Sequence, residues 1–346
     1  MKFLRYFLAF VMTVYYLFNY TFNNYAYPAL SRDGAYLFCY FVGNEVDERT
    51  LHFAVSTDGY HFDALNDNDP VITQTLGTGC VRDPYILKGT DEDGRDCYFI
   101  IGTDMNALEG WTSNHCLITW RSYDLLTWTD ETIIDMRQFP GFENTNRAWA
   151  PQAIWDSEKG MYMVYWANST IENDTAGHYY AYTRDFKTFE TAPQVLYGRW
   201  NEVDTETGET RNIQCIDGDI VYNEKDGYYY LYFKEDLTQK IAYVKSQSLA
   251  GPYNEDYTIV SLNYYGVEGS SMYRINGTDA WMMIMDEYGE GTFFAQMTRD
   301  FVNFRQFQRS SYAINHLRPR HGSVVSITEE EYAALVEHYG VQSYKG

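Results

Sequence analysis

The sequence predicts an all-β protein, a five-bladed β-propeller whose ring is closed by pairing N-terminal strands with the C-terminal inner strand. Three observations carry this. Short apolar runs of strand character recur at Tyr98-Phe99-Ile100-Ile101, Met161 to Trp166, Tyr228 to Phe233 and Trp281 to Met285. Each follows a charged or Gly-bearing turn (Asp91 to Gly94, Ser157 to Gly160, Asn223 to Gly227, Asn276-Gly277), so each reads as the second strand of a hairpin. Behind the hairpins stands a motif Ser/Thr-x-Asp-x-x-x-aromatic: Ser56 to Phe62, Ser122 to Trp128, Thr183 to Phe189 and Thr298 to Phe304, with a degenerate copy from Ser246 to Tyr253. Ahead of them stands an ordered pair, Asp83-Pro84, Ala150-Pro151, Asp217-Gly218, Glu268-Gly269 and His321-Gly322, at intervals of 67, 67, 51 and 53 residues.

From the N-terminus, Lys2 and Arg5 precede an apolar run from Tyr6 to Phe18. A positive segment before a short apolar one reads as a secretory signal, too short for a stable membrane span. Residues 1–28 are therefore expected to be a signal peptide or N-terminal anchor, 29–346 a single propeller domain, and the protein secreted, periplasmic or extracellular. Tyr36 to Phe41, Leu51 to Val55 and Tyr60 to Phe62 supply outer strands for the blade whose inner strand is the apolar run Ser323 to Ile327. Such closure leaves no open sheet edge. Thr328 to Tyr339 reads as a short capping helix, with Thr328 as the cap and Glu329-Glu330-Glu331 in its first turn.

Composition narrows the function. With 26 Lys+Arg against 48 Asp+Glu in 346 residues, the net charge of −22 repels phosphate backbones and argues against nucleic acid. A hydrophobic share of 45% excludes disorder. The five cysteines contain no C-x-x-C pair, so neither a zinc site nor a thioredoxin-like motif is suggested. Asn168, Asn173 and Asn276 head glycosylation sequons.

In a propeller the inner strands run the same way beside the axis, so equivalent positions converge at one mouth. The expected column reads Asp83, Ala150, Asp217, Glu268, His321. Singly, Asp83 before Pro84 serves a turn, Asp217 a solvated loop and Glu268 a strand edge. Together, clustered carboxylates repel and need a reason to be kept. Glycosidic cleavage supplies one, since a protonated carboxyl feeds the leaving oxygen while an ionised one activates water. A calcium cluster is the competing use, but the EF-hand spacing is absent. No phosphate loop, H-E-x-x-H or G-x-S-x-G occurs.

Val81-Arg82-Asp83-Pro84-Tyr85-Ile86, Trp149-Ala150-Pro151-Gln152, Ile216-Asp217-Gly218-Asp219-Ile220, Val267-Glu268-Gly269-Ser270 and Arg318-Pro319-Arg320-His321-Gly322 resemble, in order, the blade motifs of glycoside hydrolase family 43. That resemblance implies inverting action on arabinose- or xylose-containing polysaccharides. It implies Asp83 as general base, Glu268 as general acid and Asp217 as the group that raises and orients the acid. It also implies His321 near a water-coordinated metal, often calcium, in the axial channel, with a hydrogen-bonded core histidine as the alternative and no cofactor in the chemistry. Trp149 resembles an aromatic wall of the sugar pocket, with inter-blade packing its equal alternative. Arg82 and Arg320 adjoin the site and either bind sugar hydroxyls or pair with local acids. Gln152 stands where the family commonly has an acid, which puts one substrate contact in question.

The expected function is removal of arabinofuranosyl or xylosyl units from polysaccharides or oligosaccharides, by an α-L-arabinofuranosidase or β-xylosidase. A non-catalytic carbohydrate-binding propeller, a protein-interaction propeller and an endo-arabinanase are the alternatives.

Overall fold

The computed structural model describes residues 34–45, 48–203 and 208–344. The expected signal segment, 1–28, lies outside them. The described chain starts with β1 (Ala35–Tyr40), β2 (His52–Ser56) and β3 (Asp63–Leu65). Blade I follows as β4 (Val81–Thr90), β5 (Asp96–Asp104), β6 (Cys116–Ser122) and β7 (Thr129–Asp135). Blade II is β8 (Thr145–Asp156), β9 (Met161–Thr170), β10 (Gly177–Thr183) and β11 (Gln194–Tyr197). A separate hairpin, β12 (Arg199–Val203) with β13 (Thr210–Ile213), precedes blade III, made of β14 (Cys215–Asn223), β15 (Tyr228–Glu235), β16 (Lys240–Ser246) and β17 (Thr258–Ile259). Blade IV is β18 (Glu268–Arg274), β19 (Trp281–Glu287), β20 (Thr292–Thr298) and β21 (Phe304–Gln306). The chain ends with β22 (Gly322–Ile327), α1 (Glu329–Tyr339) and β23 (Val341–Gln342).

β22 pairs antiparallel with β1, from Tyr40↔Gly322 to Ala35↔Ile327, so blade V draws on both ends of the described chain and closes the ring as expected. Two details differ. The outer strand expected over Tyr60 to Phe62 begins at Asp63, because His61 is taken up by a bridge to Ala313. Blade V also gains a fifth strand, β23, on β3. α1 has the cap the sequence indicates: Glu331 N–H donates to the Thr328 hydroxyl, and Thr328 N–H donates to the Glu331 carboxylate.

Packing follows the period-two alternation of a strand buried on both faces. In β1, Leu37 and Cys39 face blade I with Ile86, Ile100 and Trp120, while Tyr36, Phe38 and Tyr40 face blade IV with Tyr273, Ile284 and Phe293. Each of the five blade junctions carries one such apolar cluster, which is where most of the aromatic content goes. The recurrent Ser/Thr-x-Asp motif is the turn between third and fourth strands. Ser56 Oγ accepts Gly59 N–H (2.9 Å) and Asp58 Oδ1 accepts Tyr60 and His61 N–H (2.7 and 2.9 Å). Ser122/Asp124 and Thr298/Asp300 repeat the scheme.

Candidate active site

Four of the inner strands carry a bulge near their start. Strand register slips between Arg82 and Tyr85 in β4, Trp149 and Gln152 in β8, Ile216 and Asp219 in β14, and Glu268 and Ser271 in β18. The first bulged residue is left-handed each time: Asp83 (φ 49°), Ala150 (45°), Asp217 (56°) and Gly269 (59°). A residue with a Cβ pays about 1–2 kcal/mol there, and the bulge in return re-aims its side chain. The expected column is thereby corrected by one position. Gly269, not Glu268, is the equivalent of Asp83 and Asp217, and Glu268 takes the register of Arg82, Trp149 and Ile216. Glycine is required at 269 for space as well, since a Cβ there would stand 2.6 Å from Cγ of His321.

The bulges nevertheless bring the three acids together. His321 Nδ1, just before β22, lies 3.6 Å from Asp83 Oδ1 and 4.0 Å from Asp217 Oδ2. Asp217 Oδ2 also accepts the N–H of Gly269 at 2.9 Å, which ties it to the backbone beside Glu268. Burial pushes the Asp217 carboxyl up to about 6; His321 opposes this, and the Glu268 and Asp83 charges add to it.

Glu268 is gripped by two cations. Lys234 Nζ lies 3.0 Å from its Oε2 and Arg320 Nη2 lies 3.4 Å from its Oε1. Arg320 is itself anchored through Nε to Asp286 Oδ2 at 2.6 Å, and Asp286 is directly opposite Glu268 on β19. Burial pushes Asp286 up to about 6 against the pull of Arg320. Burial works against the charge on Lys234, yet Glu268 and Asp217 hold its ammonium above the ordinary range. Sequence reasoning missed both Lys234 and Asp286. The signal was present: each is the first charge after a run of strand character, Tyr228 to Phe233 and Trp281 to Met285.

A wall of rings and guanidinium groups continues from Asp83. Arg82 is buried, with its guanidinium 4.5 Å from the Phe41 ring and 5.4 Å from Trp111, and it donates to Asn44 Oδ1. Trp111 meets Trp149 edge-on at 6.3 Å, and Arg147 lies 5.2 Å from the Trp149 ring. Trp149 is half-buried in this wall. Trp111 is 53% exposed and sits in the β5–β6 loop, where no repeat pointed to it. Gln152 is buried and accepts from Tyr165 OH at 2.8 Å, while that hydroxyl accepts Ile220 N–H. Gln152 thus orients the Tyr165 hydroxyl that links blade II to blade III.

A calcium ion takes six to eight oxygens. Beside His321 the carboxylates of Asp83 and Asp217 are the oxygens of that kind, whereas the Ser323 hydroxyl is taken up by Ile86 N–H and Pro84 C=O. A cavity of about 410 Å³, lined by Tyr85, Asp219, Met272 and Trp281 among others, contains none of the three acids. All five cysteines are buried and free, and Asn168 is buried beneath Trp166 Nε1, which removes it as a glycosylation site.

A closed five-bladed ring with acids converging from separate inner strands defines a propeller of the glycosyl hydrolase class. The family model described as a probable glycosyl hydrolase domain, related to glycoside hydrolase family 43, matches residues 33–333, and the chain belongs to that family. A curated α-L-arabinofuranosidase of Bifidobacterium longum subsp. longum is 27% identical over 201 residues, 52% of this chain. The matched part spans only 17% of that relative's length. Among solved structures, the Cellvibrio cellulosa α-L-arabinanase superposes with a TM-score of 0.55 at 14% identity, covering 91% of this chain and 98% of that one. A xylan β-1,4-xylosidase of Bacillus halodurans gives 0.53 at 12% identity, covering 88% and 54%. At these identities the structural likeness is one of fold.

Proposed function

We propose that this glycosyl hydrolase is an inverting enzyme that removes arabinofuranosyl or xylosyl units from a polysaccharide or oligosaccharide. The observation that supports it best is that Asp83 and Asp217, on left-handed bulges of blades I and III, face the same imidazole while Asp217 binds the backbone at Gly269, next to Glu268. In this reading Asp83 takes a proton from water as that water attacks the anomeric carbon. Glu268 gives a proton to the departing glycosidic oxygen, which leaves as a hydroxyl. Inversion needs about 6.5–9.5 Å between the two carboxyls, so that water fits between them. The separate anchoring of Asp83 beside His321 and of Glu268 on Lys234 and Arg320 suits such a gap.

Asp217, kept largely protonated below about 6, adds little negative charge on the Asp83 side and holds the Glu268 backbone in place. Arg82, Trp111, Trp149 and Arg320 form the wall for the sugar. The chemistry uses carboxyl groups and water alone; a hydrated cation near His321 would have a structural role. The reading includes export, with residues 1–28 as a signal peptide or N-terminal anchor.

The test is hydrolysis of an aryl arabinofuranoside, an aryl xyloside and linear arabinan, with the anomer of the first product followed by proton NMR. Glu268→Gln and Asp83→Asn should each lower kcat by about 10²–10⁴-fold. Activity that survives both substitutions, or a product of retained configuration, would overturn the proposal. Turnover of arabinan alone, with release of oligosaccharides, would replace exo action with endo action.

A further inference from the structure

Among the described residues, His115, Cys116 and Asp135 form the one group of three potential ligands whose donor atoms all lie within 4.8 Å of one another. It is separate from the acids of the axis. His115 Nδ1 stands 2.8 Å from Asp135 Oδ1 and 3.2 Å from Cys116 Sγ. We propose that this triad is a binding site for a borderline-soft divalent metal ion, zinc in the first instance, that fixes the loop bearing Trp111. The proposal does not depend on the glycosidase reading.

The donor set carries the chemistry. One imidazole nitrogen, one sulfur and one carboxylate make a mixed N/S/O set that suits zinc and does not suit calcium or magnesium, which take oxygen. A single ring nitrogen has one hydrogen or one lone pair, so it cannot serve both neighbours fully. A metal ion at the centre of the triangle serves all three. Bond lengths of about 2.0–2.3 Å around a tetrahedral ion require the triangle to open by roughly half an ångström. His115 and Asp135 have side chains 29% and 42% exposed, which gives them room to move and leaves a fourth position to water. Cys116 is buried and held by strand β6, paired with Asp135 on β7.

The absence of C-x-x-C in the sequence says nothing about such a set, because His115 and Cys116 are adjacent and Asp135 arrives from the next strand.

The surroundings explain what the ion would do. His115 C=O accepts Met136 N–H at 2.9 Å, and Asp135 Oδ1 accepts Arg137 N–H at 2.9 Å, so both outer ligands are already oriented by the backbone. Next to them, Asn114 bonds Asp104 C=O and Cys116 C=O at 2.8 Å each and accepts Ala148 N–H. Ala148 precedes Trp149, and the β5–β6 loop that ends at His115 carries Trp111, its edge-on partner. An ion at the triad therefore clamps the end of the loop that builds the aromatic wall.

The experiment is cobalt(II) and zinc(II) titration of the chelator-treated full chain. The expected result is one ion per chain, with tetrahedral cobalt absorption and a thiolate-to-cobalt charge-transfer band. Cys116→Ser should abolish that band, and Cys80→Ser should keep it. Asp135→Asn, a partly exposed and nearly isosteric change that preserves the fold, should weaken zinc binding at least about tenfold. His321→Gln should leave it unchanged, which separates the triad from any axial cation. No stoichiometric ion on the wild-type chain, or affinity indifferent to both His115→Gln and Asp135→Asn, would overturn the proposal.

Discussion

Asp219 offers a prediction that depends only on burial. Its carboxyl is 4% exposed at the floor of the 410 Å³ cavity, and Oδ2 accepts Met272 N–H at 2.7 Å. Among the described residues no cation touches it. Burial lifts it from 3.8 to about 7, with the Met272 bond and the His321 charge opposing. The unfolded chain ionises this group near 3.8 and the folded chain only near 7. The stability that the protonated form gives is therefore fully present below pH 3.8 and is lost progressively between about pH 4 and 7. Each tenfold step in the ionisation constant is worth about 1.4 kcal/mol, so the loss at pH 8 is on the order of 4 kcal/mol.

Asp219→Asn keeps the acceptor for Met272 N–H and can never ionise. It should match the wild type within about 1 kcal/mol at pH 4 and exceed it by about 2–4 kcal/mol at pH 8. Asp217 and Asp286 are also lifted, but they titrate in both proteins and cancel in the difference. Urea unfolding at the two pH values measures it, with the m-value as a check on the unfolded state. A variant no more stable than the wild type at pH 8, or equally stabilised at both pH values, would refute the reasoning.

Three further outcomes follow from the site. Gly269→Ala combines left-handed strain with a Cβ 2.6 Å from Cγ of His321, and should cost roughly 2–4 kcal/mol in urea unfolding. Gly94→Ala, at φ 80° with nothing within 4 Å, should cost only about 1–2 kcal/mol, so equal losses would show that the His321 contact is unimportant. Lys234→Met removes the cation that holds Glu268 Oε2 at 3.0 Å and should lower kcat about tenfold or more through lost positioning; a shift in Tm with kcat unchanged would make Lys234 purely structural. Trp111→Ala should raise KM about two- to tenfold and leave Tm almost unchanged, since the ring is 53% exposed and lies in a loop.

How far the sequence could be read depended on whether a signal was local and periodic. Blade number, ring closure and the capped helix were legible because each rests on repetition or on short-range hydrogen bonding: the Asp58, Asp124 and Asp300 turns use partners within three residues. The partners of Glu268 were not legible. Lys234 is 34 residues away and Arg320 is 52, and only the closed ring puts them on the same carboxylate. The metal-ligand triad was hidden for a similar reason, since Asp135 meets His115 through the β6–β7 pairing.

The error at Glu268 is the most informative. Matching Glu268-Gly269 to Asp83-Pro84 and Asp217-Gly218 assumed that the acid comes first in every bulge. The backbone instead requires that the left-handed residue come first, and at blade IV only glycine fits there, because His321 fills the space a Cβ would need. The acid was thereby moved one residue back along β18, into the register position that faces Asp286. That displacement matters chemically. A carboxylate at the bulge itself would have joined Asp83 and Asp217 around His321 as a third charge on one imidazole. One step earlier it is held by Lys234 and Arg320 instead, so the two carboxyls proposed as acid and base are anchored by different partners, which suits the proposed inverting reaction.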